Sequence, residues 1–169
     1  GTGDTIQDHR YVTTKYGCQH QHSLITGTNH AYWVDALNSK IFQFDGKSIN
    51  PISDTLGQRK FLKDILSQVN LSNPIGSLPN IIKTTDTPLE FIGIHGGYNK
   101  SKGDVIFTFF DATQIKVGQY ANWNKETIVF NDKIEAFVTR LTVHPNLWIP
   151  HMDSIYSTNN YQFGFTETT

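Results

Sequence analysis

Hydrophobic and polar positions alternate along most of the chain in short runs, broken every six to ten residues by turn-forming residues. That period of two, bounded by Gly, Asn, Asp and Ser, predicts a β-meander. Ser23–Thr26 reads as a short strand, Gly27-Thr28-Asn29 as a turn, and His30–Asp35 as a second strand carrying Tyr32, Trp33 and Val34. Asn38-Ser39 turns the chain into Lys40–Phe44, and Asp45-Gly46 turns it again before Lys47–Ile52 continues extended. Residues Gly1–Tyr16 lack the pattern and read as an irregular lead-in.

The period changes once. Phe61, Leu62, Ile65, Leu66 and Val69 fall at helical spacing, which predicts one short amphipathic helix near residues 58–68, with Asp54 as its N-cap and Gly57 in the lead-in. Residues 71–88 hold Pro74, Gly76, Pro79 and Pro88 and read as a long loop. Strands resume at Leu89–His95, and the turn Asn99–Gly103 closes a hairpin onto Asp104–Phe110. Both alternating sets of that strand, Val105, Phe107 and Phe109 against Ile106, Thr108 and Phe110, are apolar enough to predict burial on both faces. Thr127–Phe130, the Asn131-Asp132 turn and Lys133–Val143 form a further hairpin ended by His144-Pro145, and Trp148–Ile155 and Tyr161–Phe165 are the last strands. The predicted fold class is therefore mainly β, a single segment 1–169 of antiparallel hairpins and meanders resembling β-propeller blades, with one short α-helix.

Composition supports this reading. Thr, Asn and Ser number 19, 13 and 10, and these residues favour strands and turns. Aromatic residues reach 12%, enough to build a core although hydrophobic residues are only 37%. Fourteen Lys and Arg against fifteen Asp and Glu leave a net charge of −1, so no electrostatic grip on nucleic acid is expected. One cysteine excludes an intrachain disulfide. No apolar run reaches the ~18 residues that read as a membrane span, and Gly1–Asp8 has no signal-peptide pattern. Because position 1 is Gly rather than Met, the chain is expected to be cut from a much longer one.

Candidate chemistry is sparse. Cys18, His20 and His22 are spaced i, i+2, i+4; on a strand all three would face one side and suit a transition metal, with Asp35 or His9 as a fourth ligand. No second ligand motif accompanies them, and the alternative is a polar sheet face near an edge, so neither a metal nor any other cofactor is assigned. Gly96-Gly97 after an apolar strand is the pattern of a kelch blade, where glycine allows a tight positive-φ turn; the alternative is a bulge or tight turn in a meander. Glu90, Asp104 and Asp111 include no pair selected by spacing as a glycosidase pair. Trp123, in a polar stretch, is the candidate for an exposed contact, whereas Trp33 reads as core. Leu71, Ile75, Leu78, Ile81 and Ile82 put five aliphatic side chains in the Pro-rich loop, which is expected either to pack on its own helix or to dock on a neighbour. No phosphate loop, nucleophile elbow or zinc-protease helix is present, and no enzymatic activity is expected.

Five local motifs in order carry a resemblance. They are Lys15-Tyr16-Gly17-Cys18 with Ser23-Leu24-Ile25; Tyr32-Trp33-Val34-Asp35 leading to Lys40–Gly46; Pro51-Ile52-Ser53-Asp54; Gly97-Tyr98-Asn99 before Gly103-Asp104-Val105; and Thr127–Phe137. The ordered set, covering roughly residues 10–150, resembles the large virion tail proteins of crAss-like bacteriophages, often labelled stabilisation or muzzle proteins. The resemblance implies a structural subunit of the tail barrel or muzzle, contributing to virion assembly and stability. It implies copies of itself in a ring and other phage tail proteins as partners. It also implies location in the virion after synthesis in the bacterial host cytoplasm. It carries over no catalytic residue. A glycan-binding or glycan-cleaving tail module for host recognition is the alternative.

Overall fold

The computed structural model describes residues 13–68, 93–110, 125–159 and 162–167. The chain is mainly β, as its alternation predicts. Among the described residues three antiparallel sheets form, and the first two are up-and-down meanders in sequence order. The first comprises β1 (Ile25–Thr26), β2 (Ala31–Asp35), β3 (Lys40–Phe44) and β4 (Ile49–Asn50). The second comprises β5 (Gly93–Asn99), β6 (Asp104–Phe110), β7 (Lys125–Asn131) and β8 (Ala136–Leu141). The third comprises β9 (Leu147–His151), β10 (Ser154–Asn159) and β11 (Gln162–Glu167), in the order β11-β10-β9.

Local chemistry explains the turns. Asp35 ends β2 and accepts hydrogen bonds from the Asn38 N–H at 3.0 Å and Nδ2 at 2.7 Å. The next turn is an Asx turn, in which Asp45 Oδ1 accepts from the N–H groups of Lys47 and Ser48 at 2.8 and 2.7 Å. Those bonds, with one from the Ser48 hydroxyl, pull the Asp45 carboxyl down to about 2. Gly46 takes φ +89° there.

Several predicted boundaries move. Ser23 belongs to a 3-10 turn, Gln21–Ser23, so the first strand shrinks to two residues. Ile52 does not extend the fourth strand but opens a short helix, α1 (Ile52–Thr55), which the spacing did not reveal. Asp54 lies inside α1 rather than capping the main helix, and it pairs with Lys40 at 2.7 Å and Arg59 at 3.3 Å. Gly57, at φ +77°, separates α1 from α2 (Arg59–Gln68). Met152, at φ +53°, divides the expected strand 148–155 into β9 and β10, with His151 opposite Ser154. Residues 71–88, Val69 and Leu89–Ile92 lie outside the described residues.

The second sheet is central. Ile94 and Tyr98 of β5, Val105, Phe107 and Phe109 of β6, and Ile128 and Phe130 of β7 face one side, where they pack with Tyr32, Val34, Ile41 and the α2 residues Leu62, Ile65 and Leu66. The alternate residues Ile106 and Val129 face the other side, where they meet Trp148 and Ile155. Both faces of β6 are buried, as its sequence predicts. On the first sheet the Tyr16 ring lies 4.5 Å from that of Phe42, which stacks on Trp33 at 5.5 Å between ring centroids.

Gly96 and Gly97 form neither a turn nor a bulge. Both sit in unbroken register, opposite Phe107 and Ile106. The register break of this sheet lies instead between β7 and β8, where Val138 is the extra residue.

Candidate functional site

The double glycine exists because two other elements press on β5 from opposite faces. A Cβ on Gly96 would collide with Ile25 of β1 and the Ile106 carbonyl. A Cβ on Gly97 would lie 2.6 Å from Ile155 Cδ1 and 2.7 Å from Trp148 Cβ. Among the described residues each of these strands is a sheet edge: β1 of the first sheet, β5 of the second, β9 of the third. Their convergence leaves a slot of about 480 Å³ with Gly96, Gly97 and Tyr98 at its floor. Leu24 and Ile25 line one wall, and Leu147, Pro150 and Met152 line the other. Leu24 is 58% exposed and Met152 85% exposed.

A polar chain braces the slot from behind. The Trp148 indole N–H donates to Thr108 Oγ1 at 2.9 Å. The Thr108 and Thr127 hydroxyls are 3.0 Å apart, and Thr127 Oγ1 lies 3.0 Å from His144 Nδ1. This chain satisfies hydroxyls that would be costly to bury alone. His95, opposite Thr108 on β5, is fully buried. Burial pushes its imidazole down to about 3, against an opposing pull from the nearby Pro145 backbone. Tyr98 fixes the far end of the floor: its hydroxyl donates to Asp132 Oδ2 at 2.7 Å and lies 3.0 Å from Thr28 Oγ1. Burial and the Asp132 carboxylate raise the Tyr98 phenol, and the Thr28 bond opposes them.

The sequence-predicted candidates do not assemble into a second site among the described residues. Cys18, His20 and His22 lie on an irregular stretch and a 3-10 turn rather than a strand, so the premise of one shared face is not met. The Cys18 thiol donates to the His20 carbonyl at 3.2 Å and lies 3.4 Å from Ser23 Oγ. The His20 ring is buried, whereas His22 faces the slot. Of the two suggested fourth ligands, Asp35 accepts from the Gly17 N–H and from Asn38, and His9 lies outside the described residues. Among the described residues no three His, Cys, Asp or Glu side chains are grouped to hold a metal ion. Asp104 accepts from Asn131 Nδ2 at 2.8 Å in a hairpin corner; Glu90 and Asp111 lie outside the described residues. So do Trp123 and Leu71, Ile75, Leu78, Ile81 and Ile82. Trp33 and Trp148 are 8% and 3% exposed, so neither offers an open ring face for stacking a sugar.

The slot itself was not read from the sequence. Its one signal was Gly96-Gly97 inside an otherwise apolar strand, which marks a close approach as well as a turn. No helix among the described residues is long and apolar enough to cross a membrane. In comparison with known proteins, a family model described as Crassvirus muzzle protein matches residues 1–161. No curated protein matches the chain.

Proposed function

Since the chain belongs to the Crassvirus muzzle protein family, we propose that this structural protein of the virion serves in the phage tail, in its barrel or muzzle, where it contributes to assembly and stability. The observation that carries this reading is the family match over residues 1–161. The chemistry supports it. Side chains of the described slot are walls and braces rather than a nucleophile with its base. Fourteen basic against fifteen acidic residues favour packing against protein over gripping DNA.

In this reading copies of the chain form a ring and contact other tail proteins. The contact to a neighbouring copy is assigned to Leu71, Ile75, Leu78, Ile81 and Ile82, with Trp123 as a further contact residue. Leaving five aliphatic side chains in water would cost roughly 25 cal/mol per Å² of apolar surface. Antibodies raised against the chain should decorate the tail of intact particles in electron micrographs. Labelling of the capsid, or absence of the chain from purified particles, would overturn the tail assignment. Cross-linking of intact particles should join Leu71–Ile82 to a second copy, and links confined to its own chain would remove that contact.

A further inference from the structure

We propose that His144 and His95 form an acid-sensitive latch, which holds the third sheet on the second at neutral pH and lets β9 and β10 swing away when both rings are protonated.

The hydrogen-bond chain between the two sheets has a direction. An indole N–H can only donate, so Thr108 Oγ1 accepts from Trp148 Nε1 at 2.9 Å. Thr108 is then left to donate to Thr127 Oγ1, 3.0 Å away, and Thr127 to donate to His144 Nδ1 at 3.0 Å. This order uses every hydrogen of the chain, and it assigns His144 Nδ1 as a bare acceptor. A proton taken from water by that nitrogen reverses the chain. Thr127 must then accept from His144 and donate to Thr108, and the Thr108 hydrogen loses its acceptor. Thr108 and Thr127 are fully buried, so an orphaned hydroxyl between them is costly. His144 is half-buried, so a proton from solvent can reach it without opening the sheets.

His95 lies in the same layer. It stands opposite Thr108 and two residues before Gly97, on the β5 face that Trp148 and Ile155 cover. It is fully buried, so a charge on it would have no water. The elements packed around the two rings supply no compensating anion among the described residues. β6 faces them with Thr108, β7 with Thr127, β8 with Leu141, β9 with Trp148 and β10 with Ile155, none of which is ionisable. The 3-10 turn Gln21–Ser23 adds His22, with His20 at its N-cap, and charge on His22 opposes charge on His95.

Opening relieves both rings. Once the third sheet lifts, His95 is hydrated and takes a proton that holds the open form. Resistance comes from Ile106, Val129, Trp148 and Ile155, whereas the main core lies on the other face of the second sheet. Closed, the His95 imidazole stays neutral down to about 3; open, it titrates near 6.5. Above pH 6.5 it therefore leaves opening unchanged, and between pH 7 and pH 5 it favours opening by about twentyfold.

The test is native-state amide exchange of the whole chain at pH 7 and pH 5, in low urea, corrected for intrinsic rates and read residue by residue. Amides of β9 and β10 should lose protection by about twentyfold or more. Their opening should show a weak urea dependence at both pH values, which marks it as smaller than global unfolding. His144→Asn puts a non-titrating oxygen acceptor in place of Nδ1. It should keep the protection of β9 and β10 at pH 7 and shrink the acid response, and adding His95→Leu should abolish the remainder. An opening of β9 and β10 that ignores pH overturns the proposal, as does exchange of these strands only through global unfolding. An acid response in His144→Asn equal to that of the unaltered chain also overturns it. The profile of the unaltered chain decides by itself if a variant fails to fold.

Discussion

Gly97 has no room for a methyl group. Its missing Cβ would sit 2.6 Å from Ile155 and 2.7 Å from Trp148, so Gly97→Ala must push the third sheet off the second. Overpacking of this kind costs about 1–3 kcal/mol, and a urea titration should show that loss. Gly46→Ala is the contrast: nothing lies within 4 Å of its Cβ, and only φ +89° opposes the change. It should cost about 1 kcal/mol through backbone strain. His95 gives a pH signature. Its folded imidazole is held near 3, against 6.5 for an exposed one. Above pH 6.5 both folded and unfolded states are neutral there and it adds no pH dependence. Below that value the unfolded state binds a proton that the folded state refuses, so stability falls as pH drops, until about pH 3, where the folded site also protonates. The slope approaches about 1.4 kcal/mol per pH unit. Unfolding midpoints should decline between pH 6.5 and 4.5, and His95→Leu should flatten that decline. Asp45 does not interfere, because its depressed carboxyl releases stability only as pH falls from 3.8 towards 2.

At the scale of elements, the β9–β10 hairpin packs on the second sheet through Trp148 and Ile155. Trp148 contributes its ring to the small cluster with Ile106, Val129 and Ile155 and its N–H to Thr108. Trp148→Phe keeps an aromatic ring but loses the donor and part of the buried volume, and should cost about 1–3 kcal/mol. Trp148→Ala should cost about 3–5 kcal/mol and should raise amide exchange in β9 and β10 well before β6 and β7. Equal acceleration in all four strands would show that the hairpin is not separately held. The alternation at Lys40–Phe44 and Asp104–Phe110 made those strands legible, because period two and turn residues act within a few positions. Trp148–Ile155 misled, because Met152 in a left-handed conformation is a turn without a glycine or asparagine signal. Likewise α1 is too short for a helical period to emerge; its place is held by Ser53 Oγ, which accepts from the Ile41 N–H at 3.0 Å.

For the whole molecule, the main core joins the first sheet, α2 and one face of the second sheet, whereas four buried side chains join the third sheet to the other face. Stability should be distributed accordingly. Residues of β1 to β8 should exchange through one cooperative opening, and β9 and β10 through a second opening of lower free energy, measured by native-state hydrogen exchange in low urea. If β9 and β10 exchange only by global unfolding, the small cluster is stronger than its size implies.

The sequence alone determined the hairpins, the amphipathic helix and the ordered motifs of the family, because strand alternation, Asx turns and helical spacing are chemistry between neighbours in the chain. It also carried the full apolar pattern of β6, and with it the burial of both faces. It did not determine what covers each face. Whether Gly96-Gly97 makes a turn or admits two packed strands depends on Ile25, Trp148 and Ile155, which lie far away in sequence. Whether Cys18, His20 and His22 share a face depends on a 3-10 turn set partly by Ser23 Oγ accepting from the Val34 N–H. The slot exists only where three separate sheet edges meet, and contacts between such distant residues leave no period in the chain to be read.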